Sequence, residues 1–174
     1  MKKTTVTKFV RHALAIAKHT NRPALLWSHE KGRYTVATGH YLVQFWDTDT
    51  FDAIRVAAGE ENMSHSDTLD QLAAGMIFPK EHEPVNLVNT GIWLDTGKGA
   101  LLHFLTGERD SKTFSVAVND AYLEIFGKPA SILGSGSKNP VILTGGNFVA
   151  AIMPVNPDRK SIRNRLSQLA DLYR

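Results

Sequence analysis

The chain has 174 residues, 43% of them hydrophobic, and a formal net charge of +3 at pH 7. That length suits one domain of ordinary size, which buries roughly 70% of the surface its unfolded chain would expose, and this excludes disorder of the whole. The absence of cysteine excludes disulfides, zinc ribbons and thiol catalysis.

Met1-Lys2-Lys3 opens as a signal peptide would, but Lys8, Arg11, His12 and Lys18 interrupt each apolar run before it reaches the length of a hydrophobic core segment. No stretch approaches the ~20 apolar residues of a membrane span. A cytoplasmic location is the expectation. The sequence pI of about 9.2 permits nucleic-acid contact without requiring it, so the placement of the basic residues decides more than their sum.

The first strong pattern predicts a helix over residues 7–19, with Thr7 as N-cap. At 3.6 residues per turn, Val10, Ala13, Leu14 and Ala17 share one face, flanked by Phe9 and Ile16. Lys8, Arg11 and Lys18 fall on the other, joined by Arg22 if the helix persists that far, with His12 and His19 beside them. Asn21 and Pro23 end it. Three short runs follow at residues 24–28, 33–38 and 41–46, separated by turns at 29–32 and Gly39-His40. That spacing predicts an antiparallel meander. Residues 47–84 read as an irregular connection with one or two short helices, marked by Phe51, Ile54 and Val56 and by Leu69, Leu72 and Ala73.

Strands return at 86–94, 100–105 and 114–118. Asn119 caps a short helix over 120–126 that stops at Gly127 and Pro129. Strands at 131–133, 140–144 and 148–155 complete this part, and Pro157-Asp158 open a last helix running nearly to Arg174. The ends of the two halves read alike. Tyr34 to Trp46 and Val141 to Met153 each give a strand, a glycine turn, an aromatic and an apolar strand. Any β-hairpin needs such a turn, but a helix stands before the strands in both halves. Each half therefore reads β-α-β-β-β, the second being the fuller copy.

Val116-Ala117-Val118-Asn119-Asp120-Ala121-Tyr122-Leu123, then Asn139-Pro140-Val141-Ile142-Leu143 and Ile152-Met153-Pro154-Val155, resemble the strand, helix entry and closing hairpin of a bacterial sliding-clamp domain. The sliding clamp is the DNA polymerase processivity factor. The resemblance covers about 100 of the 174 residues, its motifs are structural, and it leaves 47–84 unaccounted for. It implies an α+β, DNA-clamp-like fold of two β-α-β-β-β halves with antiparallel sheets and two helices. The halves would span about 1–46 and 114–156, the connection 47–113, with a separate amphipathic helix at 157–174. It also implies self-association, because a clamp chain carries two or three such domains and six close a ring, whereas this chain offers one. Thr38-Gly39 and Gly145-Gly146 stand where clamps often place an acidic residue, and the second helix carries Asp120 and Glu124 against Lys128 alone.

Clamp helices line a DNA channel, so the resemblance makes Lys8, Arg11, Lys18 and Arg22 the candidate contacts to duplex DNA. Cations in one row neutralise phosphates without reading sequence. Taken alone, the same row is a solvated helix face. Gln168-Leu169-Ala170-Asp171-Leu172-Tyr173 resembles the short clamp-binding peptide, which makes Gln168, Leu169, Leu172 and Tyr173 candidate contacts to a host clamp, another replication protein or a further copy of the chain. The plainer alternative is a helix packed on its own domain.

The seven histidines show no metal-ligand spacing and read as surface residues. Asp47, Asp49 and Asp52 lack the glycine and glutamate of a calcium loop and read as helix caps. The loops 91–98 and 134–138 lack phosphate-loop spacing, and no serine sits in a nucleophile elbow. The first expectation is thus a non-enzymatic, cofactor-free protein of DNA replication, or of a phage or mobile element. The second is an interaction module of the same fold acting through its C-terminal helix. A small hydrolase or ligand-binding domain, with a site in 60–82, ranks third.

Overall fold

The computed structural model describes residues 1–18, 22–77, 83–96 and 100–156. Helix α1 spans Lys3–Ala17 and buries Val6, Phe9, Val10 and Ala13. That spacing is the apolar stripe of an amphipathic helix, and it begins one turn earlier than Thr7 suggests. Lys2, in extended conformation, is the N-cap. Thr7 lies inside the helix, where its hydroxyl donates to the Lys3 carbonyl at 3.1 Å. The helix stops at Ala17, so Arg22 is not part of it.

Strands β1 (Leu25–Glu30), β2 (Arg33–Ala37) and β3 (Tyr41–Phe45) form the expected meander. Helix α2 (Thr48–Ala58) follows. Asp47 caps it, its carboxylate accepting from the Asp49 N–H at 3.1 Å, so these aspartates form a cap rather than a calcium loop. A 3-10 turn at Glu60–Asn62 leads into β4 (Met63–His65) and helix α3 (Leu69–Ile77). Then come β5 (Val85–Asn86), β6 (Val88–Asp95), β7 (Leu101–Arg109) and β8 (Lys112–Asn119). Helix α4 (Asp120–Phe126) is capped by Asn119, and β9 (Ser131–Gly134), β10 (Val141–Thr144) and β11 (Phe148–Ile152) follow it.

The described residues make four helices and two sheets. The larger sheet has eight strands in the order β4-β1-β2-β3-β11-β10-β9-β5, and the smaller has three, β6-β7-β8. The N-terminal meander and the meander β9-β10-β11 join through the antiparallel pair β3/β11, with Tyr41 opposite Ile152 and Phe45 opposite Phe148. Three features depart from expectation. The single strand expected at 86–94 is divided, β5 lying in the larger sheet and β6 in the smaller. Strand β4 runs parallel to β1, and among the described residues no strand precedes α1, whereas β8 precedes α4 and lies in the smaller sheet. The helix expected at 157–174 falls outside the described residues.

One face of the large sheet carries the main core. Phe9 and Val10 of α1, Ile54 of α2 and Ile125 and Phe126 of α4 pack there with Val43, Phe45, Leu143 and Ile152. Leu105, Val116 and Val118 bring the small sheet into the same core. Helix α3 covers the opposite face, where Leu69, Ala73 and Ile77 bury Ala37, Leu42 and Ala151. A polar chain lies among these groups. Gln44 donates to the Thr35 hydroxyl at 3.1 Å, and that hydroxyl donates to Asp70 at 2.7 Å.

Leu87 is where the chain leaves β5 in one sheet for β6 in the other. Its N–H donates to the Ile132 carbonyl at 2.8 Å, and its side chain fills space left by two glycines. A Cβ on Gly134 would lie 2.8 Å from a Leu87 methyl, and one on Gly107 would lie 2.8 Å from the other. Overpacking a closed junction costs about 1–3 kcal/mol, so Gly134→Ala is expected to lower the unfolding free energy in urea by that amount. Gly39→Ala is the control. Its Cβ meets nothing within 4 Å, and it should stay within about 0.5 kcal/mol of the parent. Equal effects from the two would refute the wedge.

Candidate functional site

Among the described residues, the outer face of α1 is the strongest concentration of one charge on a single element. Lys3, Lys8, Arg11 and Lys18 are exposed there, and the helix contains no acidic residue. Burial of Val6, Phe9, Val10 and Ala13 fixes the helix on the sheet, so these cations have no rotation that would hide them. None of Lys8, Arg11, Lys18 or Arg22 forms an ion pair with a described residue. The Lys8 ammonium does reach the Glu124 carbonyl of α4, at 3.4 Å, which ties the two helices at their edge.

Lys8 also borders an open groove of about 820 Å³. The first residues of α1 make one wall, the end of α4 a second, and the turn Gly145-Gly146-Asn147 a third. Lys2, Lys8 and Lys128 line it against the single carboxylate of Glu124. The acidic character of α4 is thus partly spent elsewhere, because Asp120 faces inward to His103, whose Nδ1 lies 3.2 Å from its Oδ1. Arg22 is exposed but stands beyond the helix, so three of the four expected cations share a surface and the fourth does not. The expected partner residues Gln168, Leu169, Leu172 and Tyr173 lie outside the described residues.

Two histidines prove not to be surface residues. His103 is buried, with Nε2 2.6 Å from Asn89 Oδ1 and its ring stacked on Trp93 at 4.5 Å. It joins β6, β7 and the start of α4, through residues 14 and 17 positions away in the chain. No local pattern reveals such a contact. His12 is half-buried behind the cationic row. Its Nδ1 is 3.2 Å from the Tyr41 hydroxyl, which itself donates to the Phe9 carbonyl at 3.2 Å. In that arrangement the His12 N–H donates to the Tyr41 oxygen. Tyr122 packs edge-on against His12 at 5.1 Å and stacks with His40 at 5.6 Å.

This environment disfavours an imidazolium. Burial first, and then the His40 charge, lower the His12 pKa from its ordinary 6.5. Burial raises the Tyr41 and Tyr122 hydroxyls in the same way. Because the folded value of His12 lies below the unfolded one, the unfolded chain binds more protons as pH falls through 6.5. The stability His12 confers is complete above that pH and is lost below it. Urea midpoints measured between about pH 7.5 and pH 5.5 should therefore fall for the parent and fall less for His12→Gln. Parallel declines would show that His12 does not carry the effect.

Among the described residues no cluster of histidine, aspartate and glutamate is arranged to hold a metal ion, and no helix is long and apolar enough to cross a membrane. No protein-family model matches the chain. No curated protein matches it either. Among solved structures it is similar to one from Eubacterium rectale described as a "Putative DNA polymerase III beta subunit", with 13% sequence identity and a TM-score of 0.41. The match covers 90% of this chain and 65% of that one, so the chain spans less than two thirds of its length.

Proposed function

We propose that this protein is a non-enzymatic, clamp-like component of DNA replication, cellular or of a phage or mobile element, and that α1 lies along the backbone of duplex DNA. The observation that carries the reading is the row Lys8, Arg11 and Lys18. It is exposed, unopposed by any carboxylate on its helix, and held in place by a buried opposite face. Such a row offers charge without hydrogen-bonding geometry matched to a base, which suits sequence-independent contact.

The arrangement of the two meanders supports the clamp reading. Each follows a helix, and each pairs its last strand with the other's. The turns share a closing backbone hydrogen bond, since Thr38 N–H donates to the Tyr41 carbonyl and Gly145 N–H to the Phe148 carbonyl, both at 2.9 Å. In each, a helix phenylalanine packs on the aromatic after the turn, Phe9 on Tyr41 at 5.2 Å and Phe126 on Phe148 at 5.6 Å. We read these as two copies of one unit, forming a clamp-like domain over 1–156. In this reading copies of the chain associate around DNA.

The test is the salt dependence of binding to a short duplex of mixed sequence. Each phosphate contact contributes about 0.9 to the slope of log affinity against log salt. Replacing Lys8, Arg11 and Lys18 by Gln should lower that slope by about 3 in total, equally for unrelated sequences. Replacing all three by Glu should abolish retention. An unchanged slope in the Gln variant would remove α1 from any DNA contact. Light scattering over a range of concentration tests assembly separately. A species of several chains is expected, and a monomer throughout would refute self-association while leaving the DNA contact standing.

A further inference from the structure

The turn joining β7 to β8 stands out against the other two-residue hairpin among the described residues. Between β1 and β2 the turn is Lys31-Gly32, both at positive φ, and Glu30 pairs across it with Arg33. Glycine accepts that conformation, and the flanking charges attract. Between β7 and β8 the turn is Asp110-Ser111, at φ +51° and +59°. Neither is glycine, and the residues facing each other across it are Arg109 and Lys112. Two like charges directly opposite repel, and two non-glycine residues occupy the left-handed region. The hairpin sets like charges opposite each other where its counterpart sets opposite ones, and it holds two non-glycine residues in the left-handed region where its counterpart holds one, Lys31.

A loop closes over this turn and adds a third cation. Arg109, Lys112 and Lys138, with Ser137 and Asn139, line a groove of about 600 Å³ in which Asp110 is the single carboxylate. The arginine is firmly held. One Nη donates to the Ser135 carbonyl, the guanidinium sits 5.7 Å from the centre of the Phe114 ring, and Asn139 fixes Ser135 through a 2.8 Å hydrogen bond to its hydroxyl. Yet none of the three cations forms an ion pair with a described residue, and the Arg109 Nε–H is buried without a hydrogen-bond partner. A partly buried guanidinium normally has its counter-charge beside it.

We propose that this groove is a phosphate site, with Arg109 as the fixed fork, Lys112 and Lys138 as mobile cations and the Ser137 hydroxyl as a further donor. A phosphate between Arg109 and Lys112 converts their repulsion into two charge-assisted contacts. The volume accommodates a phosphate with a nucleoside attached. The site is independent of α1, so it stands or falls apart from the DNA reading above.

The probes are inorganic phosphate and adenosine monophosphate, titrated calorimetrically into the full chain at constant ionic strength set with chloride, alongside the duplex salt series. Lys112→Gln/Lys138→Gln removes two exposed cations without touching the core, and Arg109→Lys keeps the charge but removes the fork. For a free phosphate-bearing ligand, the parent should bind at least one small probe saturably. The double variant should then weaken it by at least about tenfold, while Lys8, Arg11 and Lys18 replaced by Gln should leave it unchanged. For a backbone phosphate, the small probes should not bind, and the double variant should lower the duplex salt slope by about 2. Melting without phosphate verifies that each variant folds. The proposal is overturned if the double variant matches the parent in both series, or if phosphate acts no differently from chloride and the slope does not move.

Discussion

Everything that could serve as a working surface in this molecule depends on the pairing of β3 with β11. The two strands come from distant parts of the chain, and their pairing is what makes one sheet of two meanders. All five residues of β3 are buried, as are Phe148, Ala150, Ala151 and Ile152 of β11. A strand pair buried on both faces cannot slip by one residue without exchanging its two environments. The register is fixed further by size. Tyr41 and Phe148 face the helices, while Leu42 and Ala151 face α3. Because α1 and α4 each dock beside the aromatic at the start of one seam strand, the seam also fixes where the cationic helix sits.

The seam explains the middle of the chain as well. Joining two meanders leaves Ala37, Leu42 and Ala151 on the sheet face away from α1, and bare apolar residues there would cost stability in water. Helix α3 supplies the cover. It is oriented by the polar chain at its first turn. Asp70 as a carboxylate can only accept, so Thr35 donates to it and accepts from Gln44. Arg33 stands 3.9 Å from the same carboxylate. Reversing α3 would strand these groups among apolar neighbours, a larger penalty than any single apolar contact there.

What could be read from the sequence was what local chemistry decides. The Asn119 cap, the Asp47 cap and the two meanders with their glycine turns are short-range features, and each appears where its residue types require it. The start of α1 went wrong because Thr7 is a good cap by type, while Val6 with Phe9, Val10 and Ala13 already completes an apolar stripe that outweighs it. The parallel strand β4, the separate small sheet and the burial of His103 rest on contacts between residues far apart, which no periodicity encodes. The same holds for the groove. Its glycine-bearing loop has no phosphate-loop spacing, and its character comes from Arg109, which lies 26 positions from its hydrogen-bond partner Ser135.

The two cationic features differ in the physics they can use. Lys8, Arg11 and Lys18 are exposed to solvent, so their fields are screened within about 8–10 Å at ordinary salt. A row of that kind offers charge without a geometry that would prefer one polyanion to another. Arg109 is held on three sides, by a carbonyl, an aromatic ring and a hairpin, and it loses little freedom when an oxyanion meets it. Screening matters less there because the guanidinium is partly buried. A surface built only for steering would have no need to fix one arginine, nor to set a lysine opposite it across a strained turn. The two proposals therefore rest on different physics, one on exposed and screened charge and the other on a guanidinium already fixed in place.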